Sequence, residues 1–321
     1  MNQRFRLDVL LMVLVCFINS FNVANAYAAG NKDFGGLVDI GGDRKMYLEC
    51  KGAGSPTVVL ISGTRGAQND WTDLIDPKNP AGAPNPGESA VFPQASKFTR
   101  VCAYDRPGTA GNDNTVTDST PVLQPTTAQQ GVADLHALLS AAREPGPYIL
   151  VGHSWGGLIA RLFASTYPDQ VSGLVLVDPA SEFLKSSLTP AQWATYIEAT
   201  KKLMEPNGLE APDHARTLEL LHDTPQVRPM PTVVLTSDKR FDLAPEGQRH
   251  GRRGEPARTA LPRFLTRSTS ATRTVATQSR WSSPNWWSTQ FGKSSKQFVA
   301  GTIRWCATKR IPSCYPKEDS K

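Results

Sequence analysis

The chain has 321 residues, 39% of them hydrophobic, which is enough to bury one large core in a single α/β domain. Its formal net charge of +6 invites a nucleic-acid partner, but the charge is unevenly placed. Residues 246–321 hold fifteen Lys and Arg against four Asp and Glu, a local +11 that leaves −5 for everything before, so the basicity belongs to a tail and a uniformly basic nucleic-acid-binding domain is excluded.

The opening residues, MNQRFRLDVLLMVLVCFINSFNVANA, set Arg4 and Arg6 ahead of an apolar run from Val9 to Phe21, with small residues at Ala24 and Ala26. That is the pattern of a secretory signal cleaved after Ala26. The run is too short for a membrane anchor and carries Asn19 near its end. Residues 1–26 are therefore expected to be a signal peptide, and the protein to be secreted or periplasmic with no stable membrane span. An oxidising compartment lets Cys50, Cys102, Cys306 and Cys314 pair. Cys50 ends MYLEC and Cys102 lies in RVCAY, two candidate strands that would be neighbours, so a Cys50–Cys102 bridge is expected, with two buried thiols as the alternative.

Five short apolar runs read as buried strands: TVVLISG (57–63), RVCAYDRPG (100–108), YILVGHS (148–154), GLVLVDP (173–179) and PTVVLTSD (231–238). Between them, TTAQQGVADLHALLSAAR (126–143) and GGLIARLFASTYP (156–168) carry apolar residues at three- and four-residue spacing, as helices do. Strands apolar on both faces and alternating with helices predict an α/β fold, a mostly parallel sheet flanked by helices. The Pro- and Gly-rich stretch 66–90 is expected to be a surface loop. Polar helical matter at about 181–230 is expected to form a small lid above the carboxyl ends of the strands. The domain would span 27–245, leaving 246–321 as a basic, poorly structured tail.

Gly152-His153-Ser154-Trp155-Gly156 fits G-x-S-x-G, with an apolar strand running in and a small-residue helix leaving, which points to a nucleophilic serine in a tight turn. An ordinary turn is the bland alternative. Through LISGTRG, YDRPGTAG and GHSWGG, in that order, the chain resembles the α/β-hydrolase fold family over roughly residues 45–245. The resemblance implies acyl transfer from an ester-like small molecule to water with no cofactor; no Cys and His cluster has metal-ligand spacing, and the charge distribution gives no nucleic-acid partner. It also implies an oxyanion hole built from the backbone N–H groups of Trp155 and Thr64. Arg65 or Gly66 could replace Thr64, because the family's common His-Gly pair is Ser62-Gly63 here. For the acid, the resemblance offers Asp238 first, then Asp178, then Asp242. Asp178 could instead only cap its turn beside Pro179, and Asp105 in YDRPG reads as structural.

A serine hydroxyl needs a general base, and the resemblance puts that histidine after the last strand. The chain has His136, His153, His214, His222 and His250 and none beyond. Only His250 follows every candidate acid, and it sits in EGQRHGRRGEP with no element to return it to the serine. From about Gln248 the text changes: arginine is dense and four of the seven tryptophans lie after residue 280. Choosing allowed codons for Arg273 to Ala300 and starting each triplet on the third base gives NSGHSIPVELPQLVVDSIREVVEAVR. That string holds Ser-Gly-His and then an amphipathic helix, and the pair Trp286-Trp287 forces its central Val. The tail is thus read as frameshifted, with the histidine encoded in a frame the chain does not use. The expected function is an exported serine hydrolase impaired by loss of that histidine. A non-catalytic binding protein of the same fold is the alternative, and a tail binding anionic surfaces through Arg249, Arg252, Arg253, Arg258 and Arg263 a third.

Overall fold

A computed structural model describes residues 32–76, 78–79, 82–181, 183–203, 208–237 and 272–277. The expected signal peptide, Asp238, Asp242, His250, Cys306 and Cys314 lie outside the described residues.

Strands β1 (Phe34–Gly41) and β2 (Arg44–Lys51) form a hairpin across Gly42 and Asp43, both at positive φ. On β2, Met46, Leu48 and Cys50 alternate into the core, as a period of two requires. Then come β3 (Thr57–Ile61), a two-residue ladder of β4 (Asp73–Leu74) with β5 (Asn85–Pro86), helix α1 (Val91–Ala95), and β6 (Val101–Tyr104). Helix α2 (Ala128–Ala141) opens on a capping box between Thr127 and Gln130. It leads to β7 (Tyr148–His153), α3 (Trp155–Thr166) and β8 (Val171–Val177). Helices α4 (Leu184–Ser187), α5 (Pro190–Leu203) and α6 (His214–His222) follow, then β9 (Thr232–Ser237) and β10 (Thr272–Thr277).

The main sheet has the order β1-β2-β6-β3-β7-β8-β9-β10. Pairing is antiparallel from β1 to β6 and parallel from β6 to β10. Every residue of β3, β6 and β7 is buried, because both faces of the sheet are covered. On one face Leu135, Leu138, Leu139, Ile159 and Phe163 of α2 and α3 pack on Leu150 and Leu174; on the other, Trp71, Val91 and Phe92 pack on Val58, Leu60 and Ile149. Each such side chain contributes roughly 2 kcal/mol on burial. This is the expected α/β architecture.

Three expectations change. The stretch 66–90 is not all surface, for Trp71 at 1% exposure sits in the core and anchors a 3-10 turn over Gln68–Trp71. The lid is smaller than 181–230, because α6 buries Thr217, Leu218 and Leu221 and the Thr217 hydroxyl accepts the N–H of Ala128; its buried residues His214, Thr217, Leu218 and Leu221 lie three and four apart, the spacing of a packed helix. In the tail, Thr272–Thr277 forms a strand paired in parallel with β9, which departs from the expectation of a poorly structured segment. TRTVAT is four-sixths β-branched, and such residues suit a pleated surface.

Cys50 and Cys102 face each other across β2 and β6 and form the expected disulfide, their Cα atoms 4.1 Å apart. Among the described residues, no helix is long and apolar enough to cross a membrane.

Candidate active site

Ser154 stands between the carboxyl end of β7 and the first residue of α3, with φ 47° and ψ −116°. A non-glycine residue in that region carries about 1–3 kcal/mol of backbone strain. Three hydrogen bonds enforce it: its N–H donates to Val177 O (3.1 Å), and its carbonyl accepts from Gly157 N (2.9 Å) and Ala180 N (3.0 Å). The flanking glycines are required by space. A Cβ on Gly156 would collide with the carbonyls of Ile61 and Ser62, and one on Gly157 would come 2.7 Å from Pro179.

The loop after β3 runs against the serine. A Cβ on Gly63 would lie 3.4 Å from the Ser154 Cβ and 2.6 Å from His153 Nδ1. Of the three amides proposed as the second oxyanion donor, two are occupied: Arg65 N–H donates to Glu210 Oε2 (2.7 Å) and Gly66 N–H to Gly63 O (3.2 Å). Thr64 N–H has no acceptor among the described residues. Trp155 is the first residue of its helix, so its N–H has no intrahelical acceptor either. Of the amides considered, those of Thr64 and Trp155 are the two without a backbone acceptor among the described residues.

Beneath this loop lies a buried ion pair that the sequence reading did not single out. Arg106 donates through Nε to Glu210 Oε1 (2.5 Å) and through Nη2 to Glu210 Oε2 (3.0 Å). Its Nη1 and Nη2 also donate to the carbonyls of Ser62 (3.0 Å) and Gly63 (2.6 Å). Burial works against the Arg106 charge, but Glu210 more than offsets it and the guanidinium stays firmly protonated. Arg106 was legible only as part of YDRPG. Glu210 had the faintest of signals, an acid between Leu209 and Ala211.

Asp105 is structural, as expected: it accepts from Gln68 N (2.6 Å) and from the Thr117 hydroxyl (2.9 Å). Asp70, beside Gly66, is pushed up to about 7 by burial, with Arg106 opposing and Asp73 and Asp105 reinforcing. Asp178 follows β8 at φ 43°, its N–H donating to Leu235 O (2.6 Å), one residue past the carbonyl that holds Ser154. Asp238 directly follows Ser237, the last residue of β9.

The described histidines are committed elsewhere. His136 stacks on Tyr167 at 4.1 Å and lies 3.3 Å from Gln170 Nε2. His153 is buried beneath Gly63, and burial, together with the Arg106 charge, holds it well below the usual imidazole range. His214 lies 3.2 Å from the Tyr196 hydroxyl and 4.8 Å, ring to ring, from Trp155; burial brings it down to about 4. The side chain of His222 is outside the described residues. Among the described residues, nothing hydrogen-bonds the Ser154 hydroxyl. The single group of metal-ligating residues found among them, Cys50, Cys102 and Glu144, has both sulfurs in the disulfide.

A strained serine at the carboxyl edge of a parallel sheet, leading a helix, is the strand-turn-helix arrangement of the α/β-hydrolase fold. The chain belongs to the Alpha/beta hydrolase family, whose sequence profile matches residues 58–301 and so runs past the point where the arginine-dense text begins. It is 28% identical over 193 residues to the uncharacterized protein YqjL of Bacillus subtilis, covering 60% of this chain and 66% of YqjL. Over 60 residues it is 47% identical to Lipase LipV of Mycobacterium tuberculosis, covering 19% of this chain and 23% of LipV. A thermophilic esterase from Thermogutta terrifontis shares the fold, with a TM-score of 0.51 at 16% identity over 87% of this chain and 100% of the esterase. The chain spans 28% and 66% of the length of the first two curated relatives it matches.

Proposed function

We propose that this chain is an exported serine hydrolase that transfers the acyl group of an ester-like small molecule to water, and that it has lost its general base. The observation that carries the reading is the backbone of Ser154, φ 47° and ψ −116°, with Gly63 against it. The Ser154 hydroxyl attacks the carbonyl carbon, and the N–H groups of Trp155 and Thr64 stabilise the oxyanion. A histidine takes the serine proton and returns it to the leaving group, oriented by Asp238 or, second, Asp178. The name of LipV as a lipase supports a carboxylic ester.

The missing histidine is the frameshifted one. In the alternative frame its codon spans the junction of Ala276 and Thr277, at the carboxyl end of β10. That is the same edge of the sheet from which Ser154 follows β7. The decisive experiment compares ester hydrolysis by the purified chain and by a version carrying NSGHSIPVELPQLVVDSIREVVEAVR in place of residues 273–300. Weak turnover by the first and strong turnover by the second is expected. Robust turnover by the chain as written, abolished by His250→Ala, would make His250 the base and end the frameshift reading. The commitment of His136, His153 and His214 to other partners favours a second reading, a non-catalytic binding protein; it predicts no turnover with either ending.

A further inference from the structure

We infer that Arg106 is a positioning residue for the oxyanion hole, acting through the Gly63–Thr64 peptide and held in place by Glu210; this rests on Ser154 being the nucleophile. In a trans peptide the C=O of one residue and the N–H of the next point in opposite directions. Arg106 Nη2 holds Gly63 O at 2.6 Å, so the Thr64 N–H is turned away from the guanidinium. Gly63 itself runs against Ser154 and His153. A cation on that carbonyl also polarises the peptide, which makes the Thr64 N–H a stronger donor.

Glu210 completes the device in two ways. Its carboxylate clamps the guanidinium through both oxygens and takes the neighbouring Arg65 N–H out of competition. The backbone fixes Glu210 in turn: its N–H donates to Gly108 O (2.7 Å), its carbonyl accepts from Arg65 Nε (3.0 Å), and Ala211 N–H donates to Gln124 Oε1 (2.9 Å). The stretch after the lid helix α5 is therefore part of the frame of the site.

The test uses the full chain with two variants. Arg106→Lys keeps a charge but has three N–H donors for the four bonds that the guanidinium makes. Arg106→Met with Glu210→Met removes the pair without stranding a buried charge. The first readout is the amide resonance of Thr64 in 15N-labelled protein. The second is phosphonylation of Ser154 by an alkyl fluorophosphonate, in which an Oγ–P bond forms, fluoride leaves and the serine proton passes to water. Ser154→Ala is the control, and thermal melting reports folding.

The expected result is an upfield move of the Thr64 amide proton in both variants. The inactivation rate constant should fall about 10- to 100-fold in the double variant, with probe affinity little changed. A merely structural role would lower the melting temperature and leave the Thr64 resonance and the inactivation step alone, overturning the proposal. Absence of labelling even in the version with the alternative-frame ending would make the serine-hydrolase reading fail by itself, and an unmoved Thr64 resonance in the full chain would still refute the hold of Arg106 on that amide.

Discussion

The two halves of the candidate site are built in different ways. The half proposed to receive the oxyanion is overdetermined: glycines leave no room for alternatives around Ser154, three backbone bonds hold its strained conformation, and a buried Arg106–Glu210 pair pins the loop opposite. The half proposed to move the proton hangs on single side chains: Asp178 just past β8 or Asp238 next in sequence after β9, and a histidine that the described residues do not bring to Ser154. One half is a property of backbone packing, which resists change because every contact depends on the others. The other is removed by altering a short stretch near the end of the chain. On the proposed reading the chain keeps its oxyanion site after its proton relay has gone, and such a site would retain part of the rate enhancement over water.

The largest expected effect sharpens this contrast. Supplying the alternative-frame ending should raise the ester hydrolysis rate by about four orders of magnitude or more, measured as kcat on a short aryl ester, and Ser154→Ala in that protein should cancel the gain. A rise of less than tenfold would mean that the oxyanion half is not competent as it stands.

Next comes the ion pair. Arg106→Met alone strands the Glu210 carboxylate in the core and should cost roughly 3–5 kcal/mol in a denaturant titration, while the double Arg106→Met, Glu210→Met protein loses much less. Equal losses would show that the pair is not desolvated as its burial indicates.

One contribution to the pH dependence is expected from His214, at the start of α6. His214 is lowered to about 4 by burial, below its unfolded value of 6.5, so the unfolded chain binds a proton that the folded chain refuses. Its contribution leaves stability flat above pH 6.5 and lowers it as the pH falls from 6.5 towards 4, by up to roughly 3 kcal/mol. Because the raised Asp70 shifts stability the other way over the same range, the loss should be read as the difference between the parent and His214→Gln in urea unfolding at pH 7.5 and pH 4.5, the variant losing less on acidification.

The smallest effect tests the strain itself. Ser154→Gly relieves the positive φ and should stabilise the protein by about 1 kcal/mol, read as a higher melting temperature. A lower one would mean that the serine side chain makes packing contacts worth more than the strain.

Much of this was legible beforehand, for reasons that lie in particular residues. TVVLI and YILVGH are apolar on both faces, so their burial in a parallel sheet could be read directly, and GHSWGG announced its turn because only glycine fits where backbone crosses backbone. The Cys50–Cys102 pairing followed from two strands read as neighbours. Trp71 was missed because the glycines and prolines around it read as loop, although one large aromatic suffices to fold such a loop inward. The core role of α6 was missed because HARTLELLH is polar on average, and only its spacing shows the buried face.

The sequence alone determined the order of strands and helices, the tight turn at Ser154 and the identity of its flanking glycines, because these depend on periodicity and on steric limits among near neighbours. The tertiary structure decided which amides of the loop after β3 are hydrogen-bonded and what holds the Gly63 carbonyl. Arg106 and Glu210 stand 104 residues apart, and nothing local in either stretch records the other. Their pairing exists only where β6 and the segment after α5 are folded against the same loop, where burial turns two ordinary charges into a fixed support.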